Sequence, residues 1–155
     1  MVEGEWSQGS ALQPFVLGRT DNSDGTLAHR YWVAGAADDA PVHENAWRFW
    51  DALRRGDAQG VAAQIAYPLK VRSIGAKTSG SLDKYLEVAT PEELVKDFDQ
   101  IFWQPYRTIL ARGLPRDMSA NAHGIFLEVV SDGYEDGAGA FLMFNAQGRV
   151  AVLFN

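Results

Sequence analysis

The segment Ala140-Phe-Leu-Met-Phe-Asn-Ala-Gln-Gly-Arg-Val-Ala-Val-Leu-Phe154 decides how this chain folds. Two runs of strand-forming residues flank Asn145-Ala-Gln-Gly148, a short connection of turn formers, so the segment reads as a β-hairpin. Its runs do not alternate. Phe141 and Met143 are as apolar as Leu142 and Phe144, and Val150 and Val152 match Ala151 and Leu153. An antiparallel strand with one face in water alternates apolar and polar residues. The second face is therefore expected to be covered, by a partner subunit or by an amino-terminal hairpin.

Upstream, Gly124-Ile-Phe-Leu-Glu-Val-Val130 is a further strand, and helices come before it. Thr90-Pro-Glu-Glu93 is a capping box: the Thr90 hydroxyl accepts a backbone N–H three residues on, and Glu93 reaches back. Leu94, Phe98, Ile101 and Phe102 continue it as an apolar helical stripe ending before Pro105, and a further turn or two over 106–112 closes at Gly113. An earlier helix is expected to begin near Pro41, with Ala46, Phe49, Trp50 and Leu53 at i, i+3, i+4 and i+7. Gly56 ends it and Asp57 caps the next, over 58–66, whose buried face is Val61, Ala62, Ile65 and Ala66. Tyr67-Pro68 stops that helix, residues 69–74 alternate like a half-buried strand, 75–80 form a loop, and 82–88 read as an irregular strand.

Residues 14–20 and 27–33 are strand-like and are joined by Asp21-Asn-Ser-Asp-Gly25, which predicts a β-hairpin, with 34–40 as a linker. The expected organisation is thus a β-hairpin extension over 1–38 and an α+β domain over 39–155, its helices packed on one face of an antiparallel sheet.

The chain has 155 residues, enough for one domain of ordinary size, and it is 46% hydrophobic and 22% charged, which argues against disorder. A net charge of −6 argues against nucleic acid or an anionic membrane surface as the main partner. No apolar run reaches the roughly 18 residues of a membrane span. The start, MVEGEWSQGS, does not read as a signal peptide; the expected protein is soluble, with the compartment open between cytoplasm and a periplasm reached after signal removal. Cysteine is absent, which excludes disulfides and thiolate chemistry. His29, His43 and His123 lack metal-ligand spacing, and no cofactor motif is found. Ser81-Leu-Asp-Lys84 matches Ser-x-x-Lys in a chain too small for that chemistry. Asp21 to Gly25 lacks the ligand positions of a calcium loop, and Asp132, Glu135 and Asp136 read as a solvated acidic loop.

Leu53-Arg-Arg-Gly-Asp57, the helix after it, Tyr67-Pro-Leu-Lys-Val71, Thr90-Pro-Glu-Glu93, Phe98-Asp-Gln-Ile-Phe102 and a terminal hairpin ending in Phe154-Asn155 stand in an order that resembles bacterial members of the nuclear transport factor 2-like superfamily. The resemblance covers about residues 42–155. It implies a cone-shaped, strongly curved antiparallel sheet wrapped by helices, with a pocket at the open end and a homodimer through the outer sheet face. It also implies a departure: where relatives carry a pocket acid in a Gly-rich strand opening, this chain reads Gly137-Ala-Gly-Ala140. No catalytic motif of the superfamily's enzymes matches position by position, and shared fold alone is an analogy.

Six residues are expected to line the pocket. Tyr67 would offer a phenolic hydrogen bond, with a wall residue whose ring packs and whose hydroxyl reaches water as the plainer reading. His123 would act as a base near neutral pH, against an exposed loop histidine. Glu128, within an apolar strand, would be a base of raised pKa if it faced the cone, and an ordinary solvated residue if it faced out. Asp99 has a structural role as its plainer reading, and Trp50 and Trp103 are core residues unless the pocket is open. The basic positions Lys70, Arg72, Lys77 and Lys84 favour a weakly anionic ligand or merely a solvated strand edge. The leading expectation is a non-catalytic domain that binds a small apolar ligand or a protein partner as a homodimer. The alternative is a cofactor-independent isomerase, dehydratase or hydrolase, with Tyr67 polarising an oxygen while Glu128 or His123 moves a proton. A third is a structural dimer whose cone is filled by Trp50 and Trp103.

Overall fold

Asp38 starts the first helix of the main domain: in extended conformation, its side chain accepts the Ala40 N–H at 3.0 Å. The helix (α1, Asp39–Arg55) therefore begins two residues before Pro41 and buries Val42, Ala46, Phe49, Trp50 and Leu53 along one stripe. Gly56, at φ 67°, closes it in the left-handed conformation. The structure, a computed structural model, describes residues 2–8, 11–17, 29–72, 86–130 and 139–154. The loop expected over 75–80, the start of the irregular strand at 82–85, the Asp21–Gly25 connection, the Ser81/Lys84 pair, Lys77 and the acidic loop at 132–136 lie outside the described residues.

Asp57 caps the next helix through the Gly60 N–H at 2.9 Å, but α2 spans only Ala58–Ala62 rather than continuing to 66. Ile65 instead opens a strand (β3, Ile65–Arg72) that pairs with two neighbours. The apolar positions of a short helix and of a strand start coincide there: Ile65 is buried either way, and the ladder takes the backbone. Pro68, which has no N–H to donate, falls where the β3 ladder to its partner shifts register, between Ile65 and Lys70.

β4 (Leu86–Val88) leads to the capping box, which forms as read: the Glu93 N–H reaches Thr90 Oγ1 at 3.2 Å and Glu93 Oε2 accepts the Ala89 N–H at 2.8 Å. The stripe that follows is divided at Asp97 into α3 (Pro91–Lys96) and α4 (Phe98–Ile101), with α5 (Gln104–Leu110) after it. Leu94, Phe98, Ile101 and Phe102 are all buried.

β5 (Ser119–Asn121), β6 (Gly124–Val130), β7 (Gly139–Phe144) and β8 (Val150–Phe154) complete a six-stranded sheet of order β4-β3-β8-β7-β6-β5. The sheet is mixed, which corrects the expected all-antiparallel arrangement: β3 and β8 run parallel, joined by a long crossover through the intervening helices and strands. It is curved and unclosed, with register shifts in β3–β8 and β7–β8. The α+β class and the helices packed on one sheet face stand. Ile125 and Leu127, Ala140, Leu142 and Phe144, and Val150 and Leu153 point to the helices and are buried.

The amino-terminal hairpin is displaced from the reading. β1 (Val2–Gln8) pairs antiparallel with β2 (Ala11–Leu17), so residues 14–17 pair with the chain before them rather than with 27–33. From His29 the backbone turns, and Trp32–Ala34 is a 3-10 helix. The reason is local: the Asp39 carboxylate accepts the Arg30 and Tyr31 N–H groups, the latter at 3.0 Å, which removes donors a strand would need.

Candidate functional site

Among the described residues, aromatic and aliphatic side chains pack between helices and sheet. Trp50 is fully buried and its Nε1–H donates to the Leu110 carbonyl at 2.9 Å; its ring lies 5.5 Å from Phe49 and 5.6 Å from Phe144. Phe102 closes against Phe49 and Tyr106. Trp50 is thus core, whereas Trp103, preceding α5, is 45% exposed and fills nothing.

The other expected pocket residues are dispersed. The Tyr67 hydroxyl donates to the Ala62 carbonyl at 3.1 Å, tying β3 to the end of α2. Asp99 is exposed and paired with Arg107 at 3.0 Å. His123 is exposed in the turn between β5 and β6, where its backbone N–H donates to Asn121 Oδ1 at 2.7 Å. Glu128 is exposed on the sheet face away from the helices, opposite Phe141. No hydrogen bond or ion pair among the described residues joins any two of the six. Within the same residues no group of three or more His, Asp or Glu is placed to hold a metal ion, and no helix is long and apolar enough to cross a membrane.

Sequence reasoning missed a buried cluster. The Tyr31 hydroxyl lies 2.8 Å from His43 Nε2, with the rings edge to face at 5.3 Å, and Asp39 holds the Tyr31 backbone from one helical turn below His43. The only signal was Asp39 and His43 at i, i+4 at a helix start. Burial, reinforced by the Asp39 charge and opposed by Arg30, pushes the Tyr31 phenol up to about 12. Burial and then the Glu92 charge do the same for Tyr67, to about 12, and burial raises Tyr106 further. These phenols hold their protons when folded, while in the unfolded chain they release them near pH 10. Their contribution is complete below pH 10 and is lost as pH rises toward 12 and beyond. The chain has five tyrosines, and in a spectrophotometric titration these three are expected to ionise only as the circular dichroism signal is lost. Release of more than two phenolates near pH 10 in a folded protein would refute the assignment.

Two surface features remain. On the outer sheet face, Phe126, Phe141, Met143, Val152 and Phe154 are only half-buried, with Phe141 4.9 Å from Phe154 and 5.7 Å from Phe126. Lys70 and Arg72 border them on β3 and Glu128 on β6, and the Arg72 guanidinium lies 5.6 Å from the Phe154 ring. On the helical side, a cleft of about 410 Å³ opens between the end of α1 and α5, lined by Arg54, Arg55 and Arg107 among others. No protein-family model matches the chain, and no curated protein matches it in sequence.

Proposed function

We propose that this chain is a non-catalytic interaction domain of the nuclear transport factor 2-like type, with a cone-like sheet, that acts as a homodimer through its outer sheet face. One row of residues carries the reading. Arg72, Phe154, Phe141 and Glu128 are direct neighbours across β3, β8, β7 and β6. A twofold axis along the strands, between β8 and β7, exchanges the two phenylalanines and lays each Arg72 against Glu128 of the second copy. A surface ordered basic, aromatic, aromatic, acidic is self-complementary under that operation, as an isologous interface must be. Desolvating the half-buried rings supplies the driving force and the outer charges set the register.

The close packing of Phe49, Trp50, Phe102 and Phe144 among the described residues favours the interaction half of the sequence expectation over a small apolar ligand in the cone. Nothing in the geometry favours an isomerase, dehydratase or hydrolase: the Tyr67 hydroxyl is committed to Ala62, and His123 and Glu128 lie in solvent.

Light scattering at micromolar concentration is expected to give twice the chain mass. Phe141→Glu at the centre of the row is expected to raise the dimer dissociation constant about 100-fold or more. Arg72→Glu and Glu128→Arg each weaken it, and the double swap restores it because the pair is exchanged intact. A monomeric wild-type chain, or a double swap no better than the single changes, sinks the proposal.

A further inference from the structure

The arginine cleft lies on the helical side of the domain, away from the sheet face, and stands independently of the dimer. Its position follows from how two helices end. The Gly56 and Asp57 N–H groups take the Leu53 and Ala52 carbonyls of α1. The Ala111, Arg112, Gly113 and Trp50 N–H groups take the Arg107, Ile109 and Leu110 carbonyls of α5, and Arg54 takes those of Ala111 and Gly113 just after it. These carbonyls, which would otherwise repel an anion, are thereby partnered.

The wall is then rich in donors. The Arg54 side chain donates to the Ala111 and Gly113 carbonyls at 3.1 and 3.3 Å, and among the described residues no carboxylate pairs with it. The Arg107 guanidinium lies 5.3 Å from the Phe98 ring centroid, with one terminal nitrogen on Asp99 and the other near Gly56. Its Nε is buried with no acceptor. A buried donor left in this state calls for an explanation such as an absent ion or water. Arg55 completes the set, with Gln104 and Thr108 beside it. Among the described residues no acidic side chain lines the cleft. The carboxylates that serve Arg55 and Arg107, namely Asp51, Asp57 and Asp99, stand outside it with solvent-exposed side chains. Such exposed pairs are worth about 0–1 kcal/mol and yield readily to a better anion.

We propose that this cleft is a binding site for a small phosphoryl-bearing anion, gripped by Arg54, Arg55 and Arg107. Three guanidinium groups arriving from two helices suit a tetrahedral oxyanion, whose oxygens point in several directions, better than a planar carboxylate. The volume is within the usual range of small-ligand sites, about 300–1,000 Å³.

The test is calorimetric titration of the whole chain with inorganic pyrophosphate, against succinate and sodium chloride at matched ionic strength. Saturable binding of pyrophosphate is expected, weakening with added salt, with succinate at least about tenfold weaker. Arg107→Gln is expected to cost about tenfold or more in affinity. Arg55→Gln, on an exposed side chain that the fold does not need, is the second variant and is expected to weaken binding in the same direction. Circular dichroism checks that both are folded. No pyrophosphate binding beyond the chloride control, equal or tighter binding of succinate, or affinity unchanged in both variants overturns the assignment.

Discussion

Trp50→Ala is expected to lower the unfolding free energy by about 3–5 kcal/mol, the range for removing a large aromatic from a core. Trp50 is fully buried, with rings of Phe49 and Phe144 against it. Truncation empties the space at the centre of the helix–sheet contact, where neither a rigid helix nor a paired strand can collapse to fill it. The lost hydrogen bond adds little, because the Leu110 carbonyl still accepts the Gly113 N–H at 3.0 Å. Trp50→Phe should therefore cost much less than Trp50→Ala. Urea unfolding followed by circular dichroism reads both; a loss below about 1 kcal/mol for the alanine variant would mean that the core is not centred here.

Gly148→Ala is expected to cost about 3 kcal/mol or more, through backbone rather than packing. Gly148 sits at φ 74° in the turn between β7 and β8, where its N–H donates to the Asn145 carbonyl at 2.9 Å. A Cβ there would stand 2.5 Å from the Val42 carbonyl oxygen and 2.7 Å from Val42 Cα. Both are helix backbone and cannot swing aside. Either the turn lifts off α1, losing the Asn45 side-chain bond to the Gln147 carbonyl, or the helix start deforms. Gly35→Ala is the internal comparison: its φ of 83° is similar, but the nearest atom to its Cβ would be 4.0 Å away. It should cost only the left-handed backbone penalty, about 1–2 kcal/mol. Equal losses at the two positions would refute the clash.

What the sequence disclosed was what is decided locally. The capping box at Thr90, the Gly56–Asp57 junction and the Asn145 turn each involve residues no more than four or five apart, and each forms as read. The helical stripes were legible because burial repeats with the turn. The parallel pairing of β3 with β8 was not, since Ile65 and Val150 become neighbours only through the fold. The end of α2 was misplaced because an apolar Ile65 serves a helix face and a strand start equally well. The hairpin was misplaced because Asp39 draws the backbone at 30–31 toward a helix that follows it.

The site was less legible than the fold. The Tyr67 hydroxyl goes to the Ala62 carbonyl rather than to water, and Glu128 faces away from the helices; which face a strand residue presents is set by register, not by its identity. Asp99 pairs with Arg107, eight residues on and in another helix. Arg54, Arg55 and Arg107 are ordinary helix residues in sequence; only the meeting of two helix ends makes them a group.

β8 sits between β3 and β7, so one of the sheet's two central strands is also the last of its strands in chain order. A chain growing on a ribosome therefore carries two separate sheet fragments, β3–β4 and β5–β6–β7, and each presents an open edge to the other. Neither fragment can close until residues 150–154 have left the exit tunnel. For that interval the open strand edges are templates for any passing edge. The order of synthesis makes the margins of this sheet first and its middle last.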